Sequence, residues 1–155
     1  MDQAKRDRVQ READPLSRLW QDLALRVVGP DAGGFAGLDE REKQYFAVGL
    51  LVGDVYNGGF DQYFFNSSAA YYEYALVGLQ EMGATNAYIL LRRAKQVLFG
   101  FRDVPTDTAR RRALIAAAAS QPDDERVQTL DELFWADPDG LQGRSLAFAR
   151  RYGLD

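Results

Sequence analysis

The feature that most constrains the fold is an Asn-Gly-Gly interruption at residues 57–59, inside the most apolar part of the chain. An apolar segment with helical periodicity leads into it. Glycine tolerates the positive φ values found where helices end, and asparagine is the next most tolerant residue. We therefore predict that a helix ends at Asn57 or Gly58, and that Gly58 or Gly59 has a positive φ.

The segment after the interruption is unusually rich in aromatic side chains. They are Phe60, Tyr63, Phe64, Phe65, Tyr71, Tyr72 and Tyr74. This density is typical of a packing centre, so Phe60 and Phe64, four residues apart, are predicted to be buried. A short aromatic turn should extend to residue 66. A new helix, capped by Ser67 or Ser68, should follow and end near residue 83.

Length and composition favour one all-α domain. The chain has 155 residues, of which 46% are hydrophobic, and shows no convincing period-2 strand. We predict a charged, flexible segment over residues 1–13 and a single irregular bundle of about seven or eight helices over 14–155. The chain has no histidine, no cysteine, no apolar run near membrane length and no secretory signal. We therefore expect a cytoplasmic protein without metal or cofactor.

Several local patterns predict where helices begin. Asp14 with Pro15 is typical of a helix start, Asp39 with Glu42 of a capping box, and Thr85 and Thr106 of N-caps.

Two glycines inside the second predicted helix, Gly49 and Gly53, are four residues apart. This spacing either allows another helix to approach closely or reflects two tolerated glycines, each costing about 1 kcal/mol relative to alanine.

Polar residues around the interruption form a candidate motif. Its members are Asp54, Asn57, Gly58, Gly59, Phe60, Gln62 and Asn66. We interpret it as structural, with a helix cap and turn, and with Gln62 and Asn66 bonded to buried backbone. The alternatives are a backbone nest for an anion and acid–base chemistry by Asp54 and Asp61. Without histidine, cysteine or a metal signature, we predict that the protein is not an enzyme.

Acidic residues are concentrated near the C-terminus of a chain whose net charge is −4. They are Asp123, Asp124, Glu125, Asp131, Glu132, Asp137 and Asp139, with Arg126 as the only base among them. The stretch is either a solvated helix face or an exposed docking surface for a basic protein. The run at residues 110–112, three arginines, suggests a solvated face or pairing with this acidic stretch. Direct nucleic-acid binding is not expected of such a chain.

Residues 54–67, DVYNGGFDQYFFNS, resemble the DNA-mimic protein family of the nineteen-kilodalton type. The family pattern is an acidic residue, N-G-G-F, one residue, glutamine, two aromatic residues and then asparagine. A Gly-Ala pair at residues 83–84 and the LDELF segment at 130–134 are also similar to the family. The resemblance extends over roughly residues 15–152.

The resemblance implies an all-α fold, a homodimer, and an acidic surface that imitates double-stranded DNA to occupy a DNA-binding protein. The leading hypothesis is therefore a non-catalytic protein that binds a basic DNA-binding regulator or nuclease. Three alternatives remain open: an immunity- or antitoxin-type inhibitor, a carboxylate-based enzyme around the Asn-Gly-Gly turn, and a scaffolding oligomer.

Overall fold

The structure is a computed structural model that describes the backbone of residues 3–29, 31, 33–118 and 124–155, and their side chains except those of 4–14 and 124–125. These residues form seven α-helices: α1 Gln3–Val28, α2 Glu40–Phe65, α3 Tyr72–Glu81, α4 Thr85–Phe99, α5 Thr108–Ala118, α6 Asp124–Trp135 and α7 Leu141–Arg151. Short 3₁₀ helices cover Phe35–Gly37 and Ser67–Tyr71. The described chain contains no strand, and the predicted all-α, single-domain class is confirmed.

Helix α2 is the centre of the bundle, since it contacts α1, α3, α5, α6 and α7. Its second half supplies three fully buried aromatic side chains, Phe60, Tyr63 and Phe64. The predicted burial of Phe60 and Phe64 is confirmed. Their rings meet aromatic side chains of other helices, Phe134 for Phe60 and Phe99 for Phe64.

The start of α2 agrees with the predicted capping box. The Asp39 carboxylate accepts the Glu42 N–H at 2.9 Å, and the Glu42 carboxylate accepts the Asp39 N–H at 3.0 Å. Glu42 also pairs with Arg26 of α1. The Arg26 hydrogen bond is the largest effect on Glu42 and holds the pKa of its carboxyl below the ordinary value. One capping residue therefore also joins α1 to α2.

Two predicted helix starts in the first half of the chain are wrong. Helix α1 begins at Gln3 and includes Pro15 in its interior, although an interior proline removes one helical hydrogen bond. Ser67 and Ser68 do not cap α3. They lie in a 3₁₀ helix that runs directly into α3, and the Tyr72 N–H bonds to a carbonyl of that segment.

Two later starts also differ from prediction. Helix α4 begins at Thr85 itself, with Ala84 at the N-cap position and no side-chain cap from either residue. Helix α5 begins at Thr108, and Asp107 rather than Thr106 accepts the N–H groups of Ala109 and Arg110, each at 3.3 Å. Aspartate is as good an N-cap as threonine or better, so sequence alone did not choose between neighbouring candidates.

The paired glycines of α2 have different roles. A Cβ at Gly49 would lie 2.4 Å from the Trp20 ring, so this glycine allows α1 to approach α2 closely. In the part of the chain whose side chains are described, a Cβ at Gly53 would have no neighbour within 4 Å. The close approach of Trp20 therefore explains why a glycine is needed at position 49, but it does not explain the glycine at position 53. In the described part of the chain, no helix is long and apolar enough to cross a membrane.

Candidate functional site

The Asn-Gly-Gly interruption is a kink in the middle of α2. Gly58 (φ −157°, ψ 16°) and Gly59 (φ 82°, ψ −176°) leave helical geometry, and the chain becomes helical again to Phe65. The predicted interruption is confirmed, with the positive φ at Gly59. The predicted aromatic turn over 60–66 is wrong, because residues 60–65 form a second, short helical half.

Side chains from both sides of the kink bond to one another. One oxygen of the Asp54 carboxylate accepts the amide N–H groups of Gln62 at 3.2 Å and Asn66 at 2.9 Å. The Asn57 amide donates to the Gln62 Oε1 at 3.1 Å. The prediction that Gln62 and Asn66 bind buried backbone is therefore wrong. These residues instead connect the two helical halves through Asp54.

Asp131 of α6 caps the second half of α2. Its Oδ1 accepts the Phe60 N–H at 2.8 Å, as an N-cap side chain does at a helix start. A Cβ at Gly59 would lie 2.3 Å from the other carboxylate oxygen. The pKa of Asp131 is raised above its ordinary value, mainly by burial. The hydrogen bond from the Phe60 N–H lowers this pKa, and the nearby charges of Asp61 and Glu132 raise it further. The prediction that Asp131 is an exposed docking residue is wrong, since only 8% of it is exposed.

Trp135, one turn after Asp131 on α6, also supports the kink. Its indole N–H donates to the Val55 carbonyl at 2.8 Å. In an uninterrupted helix this carbonyl accepts the N–H of the residue four positions later, which here is Gly59. Sequence reasoning did not assign Trp135 a role. The available signal was its spacing of four residues from Asp131, which places both on one face of α6.

Two more acidic residues of the predicted docking surface are helix caps. Half-buried Asp137 has a φ of 47° and accepts the Leu141 N–H of α7 at 2.9 Å. Asp139 accepts the Ala87 N–H at 2.8 Å and the Asn86 side-chain amide at 2.9 Å, at the start of α4. The prediction that these carboxylates are mostly exposed is wrong, because each lies against the N-terminus of a helix.

The rest of the acidic stretch divides between exposed and undescribed residues. Glu132 is exposed, as predicted. Asp123 lies outside the described residues, as do the side chains of Asp124 and Glu125.

We expect Asp139→Ala to lower the free energy of unfolding by about 1 kcal/mol at neutral pH, because the first turn of α4 loses its cap. Partial burial alone raises the pKa of Asp139, but the hydrogen bonds from Ala87 and Asn86 outweigh it and the pKa is lowered. The cap therefore stabilises the fold above the unfolded-state pKa of about 3.9 and is lost as pH falls through the folded-state value.

Urea midpoints of wild type and Asp139→Ala, measured from neutral to acid pH, check this expectation. Their difference should shrink below about pH 4. Asp103→Ala, which removes an exposed loop aspartate, is the control and should behave as wild type. A constant difference at all pH values would contradict a role for the charged cap.

Arg111 is the largest fully buried side chain among the described residues. Its three nitrogens donate to five oxygens: Phe64 O at 3.2 Å, Pro105 O at 2.8 Å, Thr106 O at 2.9 Å, Asn66 O at 2.8 Å and Thr108 Oγ1 at 2.9 Å. The predictions of a solvated face or of pairing with the acidic stretch are wrong for this residue. Burial lowers the pKa of Arg111. Two of its acceptors lie at the C-terminal end of α2, where carbonyl dipoles favour a cation.

Arg112 supports the same helix end from outside. Its Nε donates to the Phe65 carbonyl at 3.0 Å, and its guanidinium lies 4.2 Å from the centre of the Phe65 ring. The second half of α2 is thus held at its start by Asp131 and at its end by two arginines of α5. The polar residues of the motif bond to one another across the kink.

Exposed side chains surround the kink, where α2 meets α6, and we call them the kink surface. They are Tyr56, Asp61, Glu132 and Trp135. Asp61 and Glu132 lie close enough to Asp131 for both to raise its pKa. Tyr56 packs edge-on against Phe134 of α6, with ring centres 6.0 Å apart. The surface thus combines two exposed carboxylates with two large, partly exposed aromatic groups.

The model of the DMP19-like protein family matches residues 36–152. Neither a search of curated proteins nor a search of solved structures found a match. The matched region includes the kink, its polar network and the α6 residues that close it, and it covers most of the chain. The family predicted from the sequence is therefore confirmed, and the chain belongs to the DMP19-like family, a DNA-mimic family.

Proposed function

We propose that this protein is a non-catalytic DNA mimic that binds a basic DNA-binding protein through the kink surface. The observation that carries the proposal is the family match over residues 36–152. The exposed carboxylates of Asp61 and Glu132, on two different helices, add local support, because both act electrostatically on the same buried Asp131. Duplex DNA carries about one negative charge per 1.7 Å of helix axis, so a mimic needs carboxylates that are close together.

The apolar members of the kink surface fit the same role. Tyr56 is 48% exposed and Trp135 is 43% exposed. Aromatic residues are enriched at protein–protein interfaces, where they become buried while charged groups remain at the rim. The carboxylates would then increase the association rate with a basic partner, and the aromatic groups would supply most of the affinity.

Affinity capture followed by DNA competition tests the proposal. Immobilised protein is incubated with cell extract, and bound protein is released with duplex DNA or, separately, with a matched single strand. We expect a basic DNA-binding protein that duplex DNA displaces. The double variant Asp61→Lys/Glu132→Lys should capture at least tenfold less of this partner. A tenfold loss of affinity corresponds to about 1.4 kcal/mol of binding free energy.

Asp22→Lys/Glu40→Lys is the matched control. Both residues are exposed and lie away from the kink surface, Asp22 on α1 and Glu40 at the first residue of α2. It makes the same change in net charge and should capture the partner as wild type does. Equal loss in both variants would show that net charge alone governs capture. Failure of duplex DNA to displace any captured protein would contradict the mimic role.

A further inference from the structure

A groove crosses the molecule between α1 and α7, with the first half of α2 as its floor. It has a volume of about 580 Å³. Its floor residues on α2 include Tyr45, Val48, Val52, Gly53 and Tyr56, spaced three or four positions apart. This spacing places them along one face of the helix, over a length of about 16 Å. Tyr45 and Val48 are buried at the floor of the groove, whereas Gly53 and Tyr56 are exposed, so the open part of this face is the end around Val52, Gly53 and Tyr56.

Gly53 lies in the open part of the groove. Trp20 of α1 lies over Gly49, but no described residue lies within 4 Å of a Cβ built at Gly53. Glycine in a helix interior is destabilising relative to alanine, and no described neighbour explains the glycine at position 53. A glycine in this position leaves room for the backbone of another helix to come close, as Gly49 does for the Trp20 side chain.

The charge of the groove favours a cationic occupant. Among its described lining residues, Asp137 is the only charged one. Asp137 uses Oδ1 to cap α7, and its charge, after the effect of burial, raises the pKa of the Tyr56 phenol, so the two side chains are close. A carboxylate beside an aromatic ring is a favourable site for a lysine or arginine side chain. Tyr56 also belongs to the kink surface, so the groove opens onto it.

We propose that this groove binds an amphipathic, basic helix of the partner protein, with a lysine or arginine of that helix against Asp137 and Tyr56. The proposal rests on the proposed function for the basic character of the partner. The apolar face of the helix lies over Val52 and Gly53, in the helix-in-groove mode of recognition. Many DNA-binding proteins insert a basic helix into the major groove, and a groove that accepts such a helix suits a mimic of DNA.

A synthetic peptide tests the groove without the native partner. The peptide has about 16 residues, roughly 24 Å as a helix, with leucine on one face, lysine on the other and a fluorescent label. A second peptide carries glutamate in place of lysine. We expect the lysine peptide to bind the wild-type protein in fluorescence anisotropy titrations and the glutamate peptide not to bind.

Two glycine variants form a matched pair. Gly53→Leu fills the groove, and Gly143→Leu places the same side chain at another helical glycine with open space around it, outside the lining. A Cβ at either position meets no described atom within 4 Å, so we expect both variants to fold, which circular dichroism checks. We expect Gly53→Leu to weaken binding at least tenfold, about 1.4 kcal/mol, and Gly143→Leu to bind as wild type.

Asp137→Asn tests the charge separately. Asparagine tolerates the positive φ and can still cap α7, but it lacks the carboxylate charge. We expect weaker binding of the lysine peptide and a smaller dependence of its Kd on salt. Equal Kd values for wild type and Gly53→Leu, equal binding of both peptides, or no binding by wild type would each overturn the proposal.

The two proposals fail in different ways. One result would overturn the DNA-mimic role alone. In it, Gly53→Leu abolishes binding of the lysine peptide, but duplex DNA never displaces the protein captured from extract. A different result would overturn the groove proposal alone: a partner that duplex DNA displaces, but that the Gly53→Leu variant captures to the same extent as the wild-type protein.

Discussion

Replacing Arg111 by methionine is expected to lower the free energy of unfolding by about 3–5 kcal/mol, or to prevent folding. Methionine fills much of the space but donates no hydrogen bond. Five oxygens that the guanidinium now satisfies would lose their donor, and each buried acceptor left unpaired costs about 1–3 kcal/mol, less where water can reach it. Urea unfolding followed by circular dichroism measures the loss.

The neighbouring arginine supplies the control. Arg110 is exposed on the same helix, so Arg110→Met should change the free energy of unfolding by no more than about 0.5 kcal/mol. Arg111→Lys is a sharper comparison, because lysine keeps the charge but has three donors on a flexible stem and lacks the planar fork. It should recover only part of the loss. Equal midpoints for Arg111→Met and Arg110→Met would contradict the role assigned to Arg111.

Gly59→Ala is expected to cost on the order of 3–4 kcal/mol, for two reasons that act together. The backbone at Gly59, with φ 82° and ψ −176°, lies in a region that is essentially restricted to glycine. The added methyl group would also meet the Asp131 carboxylate at 2.3 Å. Displacing that carboxylate removes the cap from the Phe60 N–H.

A glycine in the same helix gives the opposite expectation. Gly53 has helical geometry and open space around a Cβ, so Gly53→Ala should stabilise the protein by about 1 kcal/mol. A double-mutant cycle separates the two causes at Gly59. In an Asp131→Ala background, Gly59→Ala should cost less, since the clash is gone and only backbone strain remains. The same cost in both backgrounds would show that the contact with Asp131 contributes nothing.

The sequence alone predicted those structural features that depend on residues close together along the chain. The capping box joins Asp39 and Glu42, three residues apart, and its two hydrogen bonds require only the local chain. The interruption at Gly58 and Gly59 follows from backbone freedom that glycine has in any context. Helical periodicity and the absence of strand patterns predicted the all-α class. Burial of Phe60 and Phe64 follows because large aromatic side chains stabilise a fold mainly by leaving water.

Tertiary structure decided the roles of the charged residues. Asp131 caps a helix start 71 residues earlier, and Arg111 closes a helix end 47 residues earlier. Asp139 caps α4 from 52 residues away. An aspartate has the same local sequence pattern whether water or a distant backbone N–H binds its carboxylate. The partner of the carboxylate depends on which helix terminus packs beside the aspartate. That neighbour is determined only when the helices assemble around α2.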